Sequence, residues 1–296
     1  DSFSLKAGKP KAVLSLYACL DAEFNLISKE IKFDEIIVTE NFTYNRVDSL
    51  IQEYPFKTLK GITDALREHR DSSQKTPKKR YHYLFKVLEK DVILKRIDNL
   101  SPSRLIVEEL MILYNRILAE EATAHKLPMI FRNVNQYLGL DDEVISSSAF
   151  LSSSPGYHPG IGAEAYLHIT SPIRRAVDLI NQIQICSFAK NQKPHFTTED
   201  INKLIPQIEK RIILHRQTAS KSELYWCLQY IAKNNLNQPM EGYLRGYTTG
   251  KIRVEIIPWS KQVFLVTEGT PQDECFSFVP YYIDWDTLTI KADLLN

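Results

Sequence analysis

The chain has 296 residues, 44% of them hydrophobic and 25% charged, enough to bury a sizeable core and more than a single small domain requires. A net charge of +1 excludes a global basic field, so any surface for a polyanion must be a local patch. The four cysteines (Cys19, Cys186, Cys227 and Cys275) are far apart and form no CxxC pair, which argues for reduced thiols and against a disulfide frame or a zinc site.

Residues 11–40 alternate apolar and polar in short stretches and predict paired strands. Residues 43–70 read as helical, 71–80 ("DSSQKTPKKR") as a polar, basic loop, and 81–99 as a second strand pair. From Ser101, apolar residues recur at helical spacing and predict a long amphipathic helix to about residue 128. Residues 139–165, "SSSAFLSSSPGYHPGIGAEA" among them, are expected to be loop-rich. Helices follow over 172–190 and 198–234, the second with Pro206 as an expected kink. Beyond residue 235 the pattern changes to five or so short strands with regular turn signals, which suits a small barrel such as an OB-fold. The predicted class is α+β, a mixed helix and strand core over 1–235 and an all-β barrel over 236–296. No apolar run reaches the roughly 20 residues needed to span a bilayer, and no signal peptide is visible, so the expected setting is cytoplasmic, or an organelle interior. The sequons at Asn41 and Asn99 are then expected to be chance, and Asp1 in place of Met suggests a chain cut from a longer one.

One stretch, "YLHITSPIRRAVDL" (166–179), carries a charge problem. Ser171 reads as an N-cap and Pro172 as the first helical residue, which places Arg174 and Arg175 in the first turn. A helix N-terminus already carries about +0.5 of a charge, so two guanidiniums there need a carboxylate or a bound anion. Asp178, four residues past Arg174, could supply the carboxylate, and an ordinary surface pair of that kind means little. The alternative is an anion pocket. Gly160 and Gly162 would let backbone approach a ligand, His158, Tyr166 and His168 would line it, and free N–H groups would face it. Glu108 and Glu109, adjacent on the long helix, must point different ways, one able to face a cleft, and a solvated face is the first reading for such a pair. The basic "TPKKRYHY" run reads first as a solvated loop.

These residues resemble a family. "YLHITSPIRRAVDL" is similar to the signature of RNase II-type exoribonucleases, the RNB catalytic domain, and "GYHPGIGAEAY" to that family's histidine–glycine loop. "RLIVEELMILYNRILAE" resembles its long helix, and the first 40 residues with "NFTYNRV" resemble the middle of the domain. The terminal β region fits the OB-fold that follows it. The resemblance implies 3′–5′ degradation of single-stranded RNA to nucleoside 5′-monophosphates by a monomeric, magnesium-dependent hydrolase. Arg174 matches the catalytic arginine on the scissile phosphate; Tyr44 and Glu108 match residues that read the terminal ribose. His158, Gly160, Tyr166, His168, Ser171 and Arg175 fall in the matching RNA-binding stretch. The family's metal-binding aspartates lie upstream of the segment matching Asp1, so no metal ligand is assigned in this chain, and the missing half of the RNB domain is an expected partner. Three positions depart from the family: Ala219 in "HRQTASKSELYW" stands where it has a catalytic glutamate, Ala176 where it has tyrosine, and Gln182–Ile183 where it has His-Arg. Those departures support a second reading, a pseudo-nuclease that binds RNA or scaffolds a complex without chemistry.

Overall fold

A computed structural model describes residues 4–71, 80–89, 91–138 and 144–295. The chain is α+β and divides into two compact units. One contains residues 1–77 and 101–212; the other contains 78–100 and 213–296. Most of the expected "DSSQKTPKKR" loop, residues 72–79, lies outside the described residues.

The first unit opens on a hairpin of β1 (Pro10–Leu20) and β2 (Leu26–Ile37), paired antiparallel from Pro10↔Ile37 inward. The expected helix over 43–70 is two helices, α1 (Tyr44–Ser49) and α2 (Phe56–Asp71). Pro55 explains the break, because it offers no N–H to the ladder and its ring clashes in a helix interior. Helix α3 (Pro102–Ala124) starts where expected, with Ser101 at the cap position and Pro102 in the first turn. It buries Ile106, Leu113, Ile117 and Leu118 along one side.

β5 (Phe131–Leu138) and β6 (Val144–Ser152) form an antiparallel hairpin, with β6 inside the stretch that the sequence predicted to be loop-rich. Serine-rich "VISSSAFLS" has weak strand propensity, but its backbone completes the ladder from β5, and Leu151 N–H donates to Glu209 at 2.9 Å. Tertiary pairing overrides propensity here. Helix α4 (Ala176–Ala189) and the first half of α5 (Thr198–Asn234) complete the unit. Helix α5 continues through Pro206.

The second unit is a closed barrel of β7 (Met240–Thr248), β8 (Lys251–Ile256), β9 (Lys261–Val266), β10 (Cys275–Asp284) and β11 (Thr289–Leu295). Around the barrel the order is β7-β8-β9-β11-β10, with β9 and β11 parallel and every other pair antiparallel. That is OB-type connectivity. Alternation fills it, with Ile252, Val254, Ile256, Val263, Leu265, Phe278 and Ile290 inside. Gly242 is required by close packing, since an added Cβ would lie 2.3 Å from the Val254 side chain.

The hairpin β3 (Tyr81–Leu88) and β4 (Asp91–Asp98) belongs to this second unit although it precedes α3 in sequence. Tyr83, Phe85 and Leu94 pack on the barrel core, and the Phe85 ring lies 5.8 Å from both Tyr230 and Trp259. The expected division at 235/236 falls just before β7, and the compact units part at 212/213 with this hairpin grouped in the second. Linear order hides such a grouping. All four cysteines are free thiols.

Candidate functional site

The arginine stretch begins its helix four residues later than its capping signals suggest. Ser171 C=O accepts from Arg174 N–H at 3.2 Å and Arg175 N–H at 3.1 Å, which makes a turn, and α4 starts at Ala176 with Arg175 as its N-cap. The cause is Asp178, the third helical residue and fully buried. One of its oxygens accepts from Ser171 N–H at 2.8 Å and from the Arg175 guanidinium at 2.7 Å. The carboxylate also sits at the end of the helix dipole that favours it.

The carboxylate expected to be within reach of Arg174 therefore pairs with Arg175 instead. Arg175 is about a third exposed at its side chain. Arg174 is exposed, and among the described residues its one polar partner is the Ser171 hydroxyl, to which it donates at 3.4 Å. An uncompensated guanidinium thus stands on a turn fixed from below.

Behind the turn lies a buried polar cluster built from four elements. Asn115 on α3 donates to Tyr166 Oη at 2.9 Å. The Tyr166 ring packs edge-on to His158, 5.2 Å away, and to His168, 5.6 Å away. Arg175 Nη1 lies 3.5 Å from His168 Nδ1. The backbone fixes this arrangement: Arg132 N–H on β5 donates to Tyr166 C=O at 2.8 Å, and buried Asn181 on α4 bonds both Ile130 and His168. Burial, then Arg175 and Arg132, pushes His168 down to about 3; burial and then Arg132 also lower His158. Both rings are neutral at pH 7. Burial raises the Tyr166 phenol, which keeps its proton. Asn115 Oδ1, His158 Nδ1, Arg175 Nε and Asp178 Oδ2 are buried with no hydrogen-bond partner among the described residues. Buried polar atoms are normally paired, so four orphans along one chain of contacts set this cluster apart from an ordinary satisfied core.

Gly160 sits exposed in the short 3₁₀ turn Pro159–Ile161 that follows His158, and Gly162 closes that turn in the left-handed region with φ 60°. Tyr44 packs against α3, the helix that carries Glu108. The Arg104 guanidinium stacks over the Tyr44 ring at 4.1 Å, and Arg104, Glu108 and Asn115 share one face of the helix at spacings of four and seven. Glu108 therefore stands two turns, about 10 Å, along the same face from the asparagine that holds Tyr166. Tyr44 is 40% exposed and Glu108 is half-buried. The neighbouring glutamates do diverge: Glu109 is buried and accepts from Arg70 at 2.7 Å.

Sequence reasoning missed Arg132, Arg104 and the Arg70–Glu109 pair. Arg132 had a signal, a cation inside the apolar strand "PMIFRNV"; the other two rest on partners 39 to 60 residues away. On the barrel, Arg245 is held by Glu255 at 3.0 Å and Glu274 at 3.2 Å, and Arg253 donates to Arg245 C=O at 2.9 Å, so these two cations have internal partners. Among the described residues no three His, Cys, Asp or Glu side chains gather to hold a metal ion, so the magnesium implied by the resemblance does not fit the described side chains of this chain. Among the same residues, no helix is long and apolar enough to cross a membrane.

The model of the RNB domain matches residues 1–138 and 143–191. This chain belongs to the RNB family. It is 30% identical over 163 residues to the Saccharomyces cerevisiae protein named Exoribonuclease II, mitochondrial, a match covering 46% of this chain and 17% of the relative. The crystal structure of a Dss1 exoribonuclease active-site mutant from Candida glabrata superposes with a TM-score of 0.84 at 19% identity, covering 98% of this chain and 43% of that one. Mycoplasma genitalium RNase R in complex with ribose-methylated single-stranded RNA gives 0.78 at 15%, covering 99% and 59%. The structure of yeast Ssd1, described as a pseudonuclease, gives 0.62 at 13%, covering 89% and 40%. At these identities the structural likeness shows the fold. The chain spans about a sixth of the yeast relative's length and less than half of the Candida structure.

Proposed function

We propose that this RNB chain holds the 3′ end of single-stranded RNA within a larger exoribonuclease of the RNase II type, one that releases nucleoside 5′-monophosphates. The observation that carries this is Arg174, an exposed guanidinium without a carboxylate partner among the described residues, fixed on a turn against a buried cluster with orphaned polar atoms. A phosphate diester supplies the missing negative charge, and a guanidinium fork matches its oxygens. Tyr44, held by Arg104, and Glu108 stand along the same helix face as that cluster, where a terminal ribose would follow its phosphate. The 2′-OH is what separates RNA from DNA at such a position.

Hydrolysis of this kind would need magnesium to supply an activated water and to stabilise the leaving oxygen, and the reading places the carboxylates that would hold it outside this chain. What the chain's own residues do is bind and orient: Arg174 takes the phosphate, and neutral His158 and His168 accept hydrogen bonds without adding charge. The yeast relative's mitochondrial label supports an organelle interior at least as well as the cytoplasm. A second reading, binding without chemistry, is favoured by Ala219, exposed on α5 where a positioned acid would be required.

The test is binding of a fluorescent single-stranded RNA compared with the same strand carrying deoxyribose at its 3′ end. The chain is expected to favour the ribose end by about 5- to 10-fold, the value of one hydrogen bond. Tyr44→Ala and Glu108→Ala each narrow that gap. Equal losses on both strands would remove the ribose-reading role.

A further inference from the structure

Adjacent guanidiniums are rarely left equally free, and here one carboxylate separates them. Asp178 is fully buried and places a single oxygen between Ser171 N–H and the Arg175 guanidinium. The contact uses half of each group's capacity. Arg175 Nε and Asp178 Oδ2 are both buried and without hydrogen-bond partners among the described residues, where a two-pronged pair would have satisfied both. Arg175 also reaches toward Thr170 and His168, each at 3.5 Å, and both are neutral groups. Among the described residues Asp178 is thus its one charge partner.

We infer that Asp178 is a positioning residue that sets the anion capacity of this site: it neutralises Arg175 so that Arg174 alone meets the phosphate, and it ties the turn so that Arg174 faces outward. This rests on the reading of Arg174 as a phosphate contact, and it adds a reason for one free guanidinium in place of two. Two free cations on one turn would hold a phosphate more tightly than one and would release it more slowly. A processive enzyme must let each phosphate move on after every step, so one contact of limited strength suits translocation.

The test is a charge cycle on the whole chain. Asp178→Asn keeps an acceptor for Ser171 N–H and removes the charge. It is expected to tighten single-stranded RNA binding severalfold at low salt and to steepen the slope of log affinity against log salt by about 0.7, one additional phosphate contact. Arg175→Gln, which leaves the buried carboxylate unpaired beneath Arg174, is expected to weaken binding and flatten the slope. The double variant Arg175→Gln/Asp178→Asn, with no charge at either position, should return to the wild-type slope. A second arm uses inorganic phosphate alone and follows the thermal midpoint: Asp178→Asn gains more phosphate-dependent stabilisation than the wild type or the double variant.

A folded Asp178→Asn with wild-type slope and wild-type phosphate response overturns the inference, because a purely structural carboxylate changes the melting temperature and neither of these. If Asp178→Asn does not fold, Arg175→Gln decides, and an unchanged slope there is equally contrary. A wild-type chain that binds no RNA would defeat the proposed function separately, and the phosphate arm would still decide the role of Asp178.

Discussion

Arg174→Ala is expected to weaken single-stranded RNA binding by about 10- to 100-fold, the range for losing one charge-assisted hydrogen-bonded contact. The loss should be the same for every base sequence, since phosphates carry no sequence information. The salt slope should become shallower by about 0.7, for one phosphate no longer neutralised. Stability should barely move, because Arg174 is exposed and its one polar contact is a long bond to a hydroxyl. Fluorescence anisotropy across a salt series, with thermal unfolding as control, reads all of this. A variant that melts several degrees lower with an unchanged slope would make Arg174 a structural residue.

The largest effect on stability is expected at Arg70→Ala, which breaks the pair with Glu109. Glu109 is 3% exposed at its side chain and Arg70 12%, and two guanidinium nitrogens face the carboxylate at 2.7 and 3.4 Å. Removing the cation leaves a buried carboxylate without its salt-bridge partner, which costs about 3–5 kcal/mol. For a compact unit of this size that corresponds to a fall of about 10 °C in the unfolding midpoint. Arg70→Met combined with Glu109→Leu, which fills the space without charge, should recover most of the loss. A drop under about 2 °C for Arg70→Ala would mean that solvent reaches the carboxylate more freely than its burial indicates.

Elements whose signal is periodic were legible from residues alone. The barrel strands alternate between core and solvent, so "KIRVEI" shows Ile252, Val254 and Ile256 as one face before any coordinates. Helix α3 shows its face at helical spacing in the same way. The start of α4 was not legible, because Ser171–Pro172 gives strong local capping signals that Asp178 overrides through a bond to backbone seven residues back. Nor could spacing choose between Arg174 and Arg175 as the partner of Asp178, since i,i+3 and i,i+4 neighbours both lie on one helix face. Strand β6 stayed hidden because serine says nothing of the ladder that β5 offers it.

At the site, the local cluster of His158, Tyr166 and His168 was legible because its members lie within eleven residues and one turn brings them together. Its other walls come from Asn115 and Arg132, contributed by α3 and β5. Pairings such as Tyr44 with Arg104, 60 residues apart, carry no local signature. The uneven fate of the two arginines, on which the functional reading depends, emerges only when the turn is seen folded.

The most direct measurement is a crystal structure of this chain with a short single-stranded RNA. A phosphate oxygen within hydrogen-bond distance of the Arg174 guanidinium, with the terminal ribose against Tyr44 and Glu108 and Arg175 still paired to Asp178, is the predicted result. An RNA bound elsewhere on the chain, with Arg174 in solvent and no phosphate near the turn, would contradict it.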